Sequence, residues 1–497
     1  MHKITLLLIL VFSFSIEAKV QLTEEYLKTL AKGGSPRLDE IEAAFQSSLI
    51  RLGETKEGYA PELFGKGSYA ETNERALIEF SPVFSPVKQV HLGVRQNFSQ
   101  GVDTSVSVIT DQRSASSPFI GTLNNATTTT LAFTMRVDLW RDLFGRMSKA
   151  KIENSQLEVK RAQIEKEIQE KTFHISLRRL YWSLVANDLS LKTSQKLLKT
   201  AQKQAREASE RLKNAVAEAD EVARYNAQVS SREGNITYLK YQRELYLTQL
   251  KNLLPELSDK DIVIENYDVE KAFSDVLSCT FQISQGQQTP YQYTKYDELV
   301  TLLKKIKEYS RIENSRYSDI DVKLFGTVKA TGVSLSDATT GETPLNLRGS
   351  YGGSFEDMTD RNRTGYEVGI EFNMPLGETK EKTQKSKELY DEKRLISAIN
   401  STNARVMNTH REFVKTIKML NEVITSQRVT TQQLEKRLKG MQKKYEQARV
   451  SVNDLIMDQD ALLQSELATI DIQLQILNSI FDYLVIFPDT PCAFNRI

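Results

Sequence analysis

Residues 128–139 read Thr-Thr-Thr-Leu-Ala-Phe-Thr-Met-Arg-Val-Asp-Leu. Leu131, Phe133, Met135, Val137 and Leu139 fall on one face, and Thr130, Ala132, Thr134, Arg136 and Asp138 on the other. Such strict alternation predicts a β-strand with one apolar and one wet face. Residues 365–374 repeat it, with Tyr366, Val368, Ile370, Phe372 and Met374 opposing Glu367, Gly369, Glu371 and Asn373. Weaker versions occur around 88–98 and 320–331. Within each pair the strands are separated by a Ser/Thr/Gly/Asn/Asp-rich stretch, 100–126 and 334–362, which predicts two antiparallel hairpins with long polar loops. A sheet on a soluble core also alternates. The long loops, an export signal and Trp140 at a strand end favour a membrane barrel wall, with Trp140 in an interfacial aromatic girdle. Four strands are too few, because the smallest membrane barrels need about eight. Several chains must therefore pool their strands.

From Arg141 to Leu212 there is no proline, and Leu177, Leu180, Leu184, Leu191, Leu198, Ala201, Ala205 and Ala208 recur at coiled-coil-like spacing. Residues 378–446 have the same character, and shorter helical runs follow at 219–253 and 453–486, closed by Pro255 and Pro488. The glycines of Leu143-Phe144-Gly145 and Pro375-Leu376-Gly377 are 377 − 145 = 232 positions apart. The turns that begin at Ala215 and Ala448 are 448 − 215 = 233 positions apart. Each half thus runs strand, loop, strand, glycine junction, long helix, turn, helix, which is a duplicated β-hairpin plus helical hairpin.

The 497 residues carry 66 basic and 65 acidic side chains, net +1, which argues against nucleic acid as a partner. Mean hydropathy is −0.42 and looks soluble. The start contradicts a cytosolic reading. Met1-His2-Lys3 precedes an apolar run from Ile4 to Ile16 and a small-residue site at Ala18, the pattern of a secretory signal peptide over 1–18. His2, His91, His174 and His410 are scattered, and no zinc spacing, phosphate loop or nucleophile elbow occurs, so neither enzyme activity nor a cofactor or metal is expected. Cys279 and Cys492 are the only cysteines, and an exported chain allows a disulfide between them.

These features resemble the TolC family of outer-membrane efflux proteins. The family's helical-turn motif, Tyr-x-x-Gly-x-x-Ser/Thr-x-x-Asp-(Val/Leu)-(Leu/Ile), is matched by Tyr445-Glu446-Gln447-Ala448-Arg449-Val450-Ser451-Val452-Asn453-Asp454-Leu455-Ile456. A looser copy runs from Leu212 to Val222 with Glu221 at the acid position. Both motif glycines are alanine here, Ala215 and Ala448, and alanine disfavours a left-handed backbone. Where family members carry a second acidic ring three residues past the first, this chain has Met457, followed by Asp458.

The resemblance implies a mixed α and β membrane protein. Each chain of a homotrimer would give four strands to a 12-stranded transmembrane β-barrel, continued by a periplasmic α-helical barrel of two repeated hairpin units and an equatorial α/β belt. The expected divisions are a signal peptide (1–18), an N-terminal equatorial segment (19–86) and a first β-hairpin (87–140). A first helical hairpin (141–254) and an inter-repeat equatorial segment (255–318) follow. A second β-hairpin (319–376), a second helical hairpin (377–487) and a tail (488–497) complete the chain. The implied function is export of drugs, toxic compounds or proteins across the outer membrane of a Gram-negative cell, with a periplasmic adaptor, an inner-membrane transporter and outer-membrane lipid as partners. The alternative is a soluble periplasmic coiled-coil scaffold or adaptor without a barrel.

Candidate gate or constriction residues are Asp454, Asp458, Glu221, Asp220 and Tyr445. Candidate adaptor-docking residues at the helix-turn tips are Ala215, Glu218, Ala448, Arg449 and Ser451. A ring of carboxylates would favour cations and, if crowded, titrate high, making closure pH-dependent. The same acids beside helix starts can instead be caps or dipole partners, an alternative open for Asp454 and favoured for Glu218.

Overall fold

Strand alternation is realised as one six-stranded antiparallel sheet in a computed structural model that describes residues 19–74, 83–117, 121–216, 218–264, 267–285, 294–315, 319–335, 349–360, 363–374, 378–447 and 449–490. The expected signal peptide and Cys492 lie outside the described residues, as do Ala448 and the junction Pro375-Leu376-Gly377. In chain order the N-terminal part holds β1 (Lys19–Gln21), α1 (Glu24–Lys32), α2 (Pro36–Glu57) and β2 (Glu62–Ala70). Three strands follow, β3 (Val83–Phe98), β4 (Val102–Ser117) and β5 (Gly121–Asp138). Next come the helices α3 (Arg146–Lys213) and α4 (Ala219–Leu253), then β6 (Asp261–Val263), α5 (Val269–Gln285) and α6 (Tyr296–Ser315). The last part holds β7 (Asp321–Ser334), α7 (Tyr351–Asp360), β8 (Thr364–Asn373), α8 (Glu378–Glu446) and α9 (Val452–Ile486).

The chain divides into two units, the first formed by residues 1–45, 163–300 and 400–497 and the second by 46–162 and 301–399. The second unit holds the sheet, in the order β2-β3-β4-β5-β7-β8. Its register puts Leu63, Val94, Val106, Phe133, Val328 and Tyr366 in one row. The next row on that face runs Leu92, Val108, Leu131 and Ala330. The opposite face carries Glu62–Arg95 at 2.8 Å, Lys323–Asp103 at 3.3 Å and hydroxyl pairs such as Thr134–Thr327 at 3.1 Å. The alternation seen in 128–139 thus continues into the neighbouring strands, mainly apolar on one side and mainly polar or ionic on the other, with Phe64, Ile109 and Phe325 as apolar exceptions on the polar side.

Three expectations are corrected. The stretch 100–126 is not a long loop: it holds β4 and the start of β5, and β3 turns into β4 through Ser99, Gln100 and Gly101. Residues 62–70, assigned to an N-terminal equatorial segment, form β2 and pair with β3. Among the described residues this sheet therefore has six strands, where four were expected. The stretch 334–362 is not all loop either, since α7 lies within it. α7 covers the polar end of the otherwise apolar face: Ser354 Oγ meets Thr129 Oγ1 at 2.7 Å, and Asp357 Oδ2 accepts from Val333 N–H at 2.9 Å. Gly332 permits this approach, because a Cβ there would lie 2.0 Å from the Ser354 carbonyl oxygen.

The strand-to-helix junction explains Gly145. Phe144 and Gly145 take positive φ of 55° and 73°, and a Cβ on Gly145 would sit 1.8 Å from the Ser99 carbonyl oxygen. Asp142 Oδ1 then accepts from Met147 and Ser148 N–H at 2.6 and 3.0 Å, occupying otherwise orphaned donors where α3 begins. Trp140 follows β5 directly and is exposed.

The first unit is mainly helical, and holds most of α3 and α8, whose first turns belong to the second unit, together with α4 and α9. α3 has 68 residues and α4 has 35; α8 has 69 and α9 has 35. At 1.5 Å per residue the longer pair reach about 100 Å each. β1 and β6 form a two-stranded parallel sheet, and Glu24 of α1 joins Arg178 of α3 at 3.3 Å in a nearly buried ion pair. Among the described residues no helix is long and apolar enough to cross a membrane. Cys279 is buried in α5 and is disulfide-bonded rather than a free thiol.

Candidate gate at the helical turns

Within the first unit, the α3–α4 and α8–α9 turns close over small apolar clusters. Ala205, Ala208, Tyr225 and Val452 form one, and Leu438, Leu455 and Leu462 form another, with Tyr445 packed against both. The alanines of α3 allow the helices to approach, and the apolar positions that repeat along the sequence supply the rest.

At the first turn Ala215 takes φ 57°, left-handed despite its Cβ. Val216 N–H donates to Arg211 C=O at 2.9 Å and Ala215 N–H to Leu212 C=O at 3.0 Å, so the bonds that end α3 hold alanine where glycine would be relaxed. At the second turn Arg449 N–H makes the matching bond to Lys444 C=O at 2.9 Å, while Ala448 lies outside the described residues. Val216 and Arg449 are exposed at these tips, and Glu218 is the N-cap residue of α4 with no side-chain cap bond.

Ser451 and Asp454 form a reciprocal capping box at the start of α9. Hydrogen bonds from Ser451 hold the Asp454 carboxyl below the usual carboxylate range within the single chain. Asp458 is 4 % exposed and grips Arg437 of α8 with both oxygens, at 2.8 and 3.0 Å. It therefore ties α8 to α9 within the chain. Asp220 is exposed and reaches Arg224 at 3.5 Å.

Glu221 and Tyr445, taken separately as candidates, meet. Tyr445 Oη donates to Glu221 Oε1 at 2.5 Å, and Arg211 Nη1 donates to Tyr445 Oη at 2.7 Å and to Glu221 Oε1 at 3.1 Å. Three helices share this cluster: α3 gives Arg211, α4 gives Glu221 and α8 gives Tyr445. Burial, then the Glu221 hydrogen bond, raises the Tyr445 hydroxyl pKa. Neighbouring Tyr225 is raised further, by burial first and then by Tyr445. Both hydroxyls stay protonated at ordinary pH, and that of Tyr445 donates to Glu221.

Sequence reading missed the cationic partners Arg211, Arg437 and Arg232, because isolated arginines on long helices look solvated. Arg232 of α4 is 4 % exposed and reaches Asp460 of α9 at 2.7 Å, and Gln228 Nε2 donates to Gln459 Oε1 at 3.1 Å. These pairs border a groove of about 530 Å³ of mixed lining, with Arg224, Gln228, Arg232 and Asp460 beside Ile456 and Leu467. The one available signal was spacing: Gln228 and Arg232, like Asp460 and Gln464, fall one helical turn apart.

No protein-family model matches the chain, and no curated relative does. Solved structures do. The Campylobacter jejuni CmeC outer membrane channel aligns at 14% identity over 96% of this chain and 90% of its own, with a TM-score of 0.62. The chain has the fold of outer-membrane channels. The Vibrio cholerae outer membrane protein VceC aligns at 13% identity over 93% of this chain and 95% of its own, TM-score 0.60. The Neisseria gonorrhoeae MtrE outer membrane channel, solved in an open state, aligns at 13% identity over 93% and 88%, TM-score 0.57. The fold is thus that of outer-membrane channels, the class to which the TolC-family resemblance pointed, at identities too low for any single residue's role to transfer.

Proposed function

We propose that the protein is an outer-membrane export duct. The sheet crosses the outer membrane with its apolar face on lipid, and the long helices extend into the periplasm. The observation that carries this reading is the sheet itself. A continuous apolar face backs onto an ionic and hydroxyl-lined face, as a membrane barrel wall requires. A soluble scaffold or adaptor has no use for an uncovered apolar sheet of this extent. The likeness to the CmeC and MtrE channels supports the same class.

The duct is a homotrimer in this reading, because one sheet leaves both edges open and bilayer hydrocarbon offers no hydrogen-bond partners. Two repeated units, each with a long and a short helix, line the periplasmic part. Their near-equal helix lengths support duplication, although the first half brings four strands to the sheet and the second two. Trp140 lies in the interfacial belt. Cys279 pairs with Cys492, which fastens the C-terminal tail to α5. An adaptor docks on the turn tips around Ala215, Glu218, Ala448, Arg449 and Ser451 and along the groove, and an inner-membrane pump drives transport. The cargo class is drugs, toxic compounds or proteins, and the duct performs no chemistry on it.

The periplasmic end is gated by rearrangement of the turns. The closed arrangement is held by the Arg211–Glu221–Tyr445 cluster. Asp454 and Asp220 lie exposed at the turns and contribute negative potential there after threefold repetition. The test is a planar-bilayer recording of the detergent-extracted protein. Stepwise ion conductance is expected, with block by multivalent cations that weakens in Asp454→Asn. Absence of any conductance step from correctly folded protein refutes the duct.

A further inference from the structure

The sheet has more strands than the family resemblance implies, and its two outer strands define an interface. All neighbours run antiparallel along β2-β3-β4-β5-β7-β8, and the number of strands is even. A second copy can therefore place its β2 beside β8 of the first and continue the same up-and-down alternation. Both outer strands expose apolar side chains more than the inner ones do. Leu63 of β2 is 78 % exposed and Tyr366 of β8 is 85 % exposed, against 44 % for Phe133 in the same row. All three lie on the lipid-side face, so pairing β2 with β8 carries the apolar band across the seam. On the opposite face β2 presents Glu62, already paired with Arg95, and Lys66, while β8 presents Glu367 and Glu371, the latter 3.9 Å from Arg136, so Lys66 is the β2 cation left to meet Glu367 across the seam.

We propose that β8 of one copy pairs with β2 of the next, and that three copies close an 18-stranded barrel, three times six, in place of a 12-stranded one. The inference rests on the trimeric duct reading and deepens it. Closure satisfies every edge N–H and C=O that would otherwise face hydrocarbon. Barrel diameter grows roughly in proportion to strand number, so the membrane part is about 1.5-fold wider than a 12-stranded barrel. Barrels of 16–18 strands are wide enough to leave an open aqueous channel.

Cysteine pairs test the seam in native outer membranes, read on non-reducing gels after a short bifunctional thiol cross-linker. One set places Ser68→Cys or Lys66→Cys on β2 with Glu367→Cys or Glu371→Cys on β8. A second set places Ser105→Cys or Ser107→Cys on β4 with the same β8 positions. The expected result is dimer and trimer bands from the β2–β8 set alone. Bands from the β4–β8 set alone mean that β4, β5, β7 and β8 form a 12-stranded wall with β2 and β3 outside it, and overturn the proposal. No intermolecular band from either set in a protein that is trimeric by mass in detergent overturns the seam but leaves the trimer standing. A monomeric mass with no bands removes the trimeric duct as well.

Discussion

Tyr445 Oη donates to Glu221 Oε1 at 2.5 Å across 224 positions of sequence, joining the last turn of α8 to the first turn of α4. Arg211 of α3 holds both groups. Three helix ends are thus fixed by one cluster of directional, partly charged bonds, which makes it a discrete latch. Hydrogen bonds to charged groups contribute about 1.5–3 kcal/mol each, comparable to the energy needed to shift a two-state equilibrium severalfold.

Replacing Tyr445 by Phe removes the donor and keeps the packing against both apolar clusters. Single-channel conductance or open probability is expected to rise in Tyr445→Phe, and also in Glu221→Gln, with little further increase in the double variant because both changes break one bond. Additive increases indicate that the two residues act separately.

Ala215 holds a left-handed backbone that costs alanine roughly 1 kcal/mol relative to glycine. Ala215→Gly is expected to stabilise the protein by up to about 1 kcal/mol, less the entropy glycine adds to the unfolded chain. A midpoint shift in denaturant at unchanged slope checks it. A destabilised Ala215→Gly contradicts the turn geometry.

Asp458 and Asp454 separate by burial. Asp458→Asn leaves Arg437 with a weakened neutral partner and buries an imperfect amide, so a loss of about 1–3 kcal/mol is expected. Asp454→Asn is expected to change stability less and cation block more, since Asp454 is exposed. Equal effects on stability contradict the distinction.

His410 sits beside Tyr483, Nδ1 to Oη at 3.2 Å, and burial pulls its pKa below the ordinary value of 6.5. The folded state therefore favours neutral imidazole. This contribution is fully present above about pH 6.5 and is lost as pH falls from there toward the folded-state pKa, because the unfolded chain takes up the proton first. Thermal stability of the wild type is expected to fall between pH 7 and 5 more steeply than that of His410→Gln, recorded in parallel melts. Identical slopes exclude His410 as a contributor.

The junction glycine carries the sharpest structural expectation. Gly145→Ala adds a Cβ into the Ser99 carbonyl at a positive φ, and neither can relax without moving the β3–β4 turn. Loss of folded protein from outer-membrane fractions is expected, with Gly440→Ala, where a Cβ meets nothing within 4 Å, as the tolerated control.

Much of the architecture was legible because a membrane strand declares one face and a long amphipathic helix another. Phe133 and Val137 alternate with Thr134 and Arg136, and the paired glycine junctions and turns mark the same order twice. β2 and β4 escaped for a physical reason. In β2 the positions facing Leu92 and Val90 are Gly65 and Gly67, so neighbouring side chains supply the apolar cover and the strand itself looks like a loop. In β4 the faces are built from Val and Thr against Ser, a contrast too weak to distinguish from a polar turn region. At the turns, acids were visible as carboxylates near helix starts. Asp454 as a cap follows from Ser451 three residues before it, a local pattern, whereas Asp458 as a buried tie and Glu221 as a latch depend on Arg437 and Arg211 brought in from other helices, which no local pattern reveals.

A gated duct through the outer membrane is read most directly from single-channel conductance in planar bilayers of the protein extracted from outer membranes with detergent, wild type beside Tyr445→Phe. Discrete conductance steps are expected that are small or infrequent in the wild type and larger or more frequent in the variant. Recovery of a folded protein that needs no detergent and produces no steps in either form contradicts the gated duct.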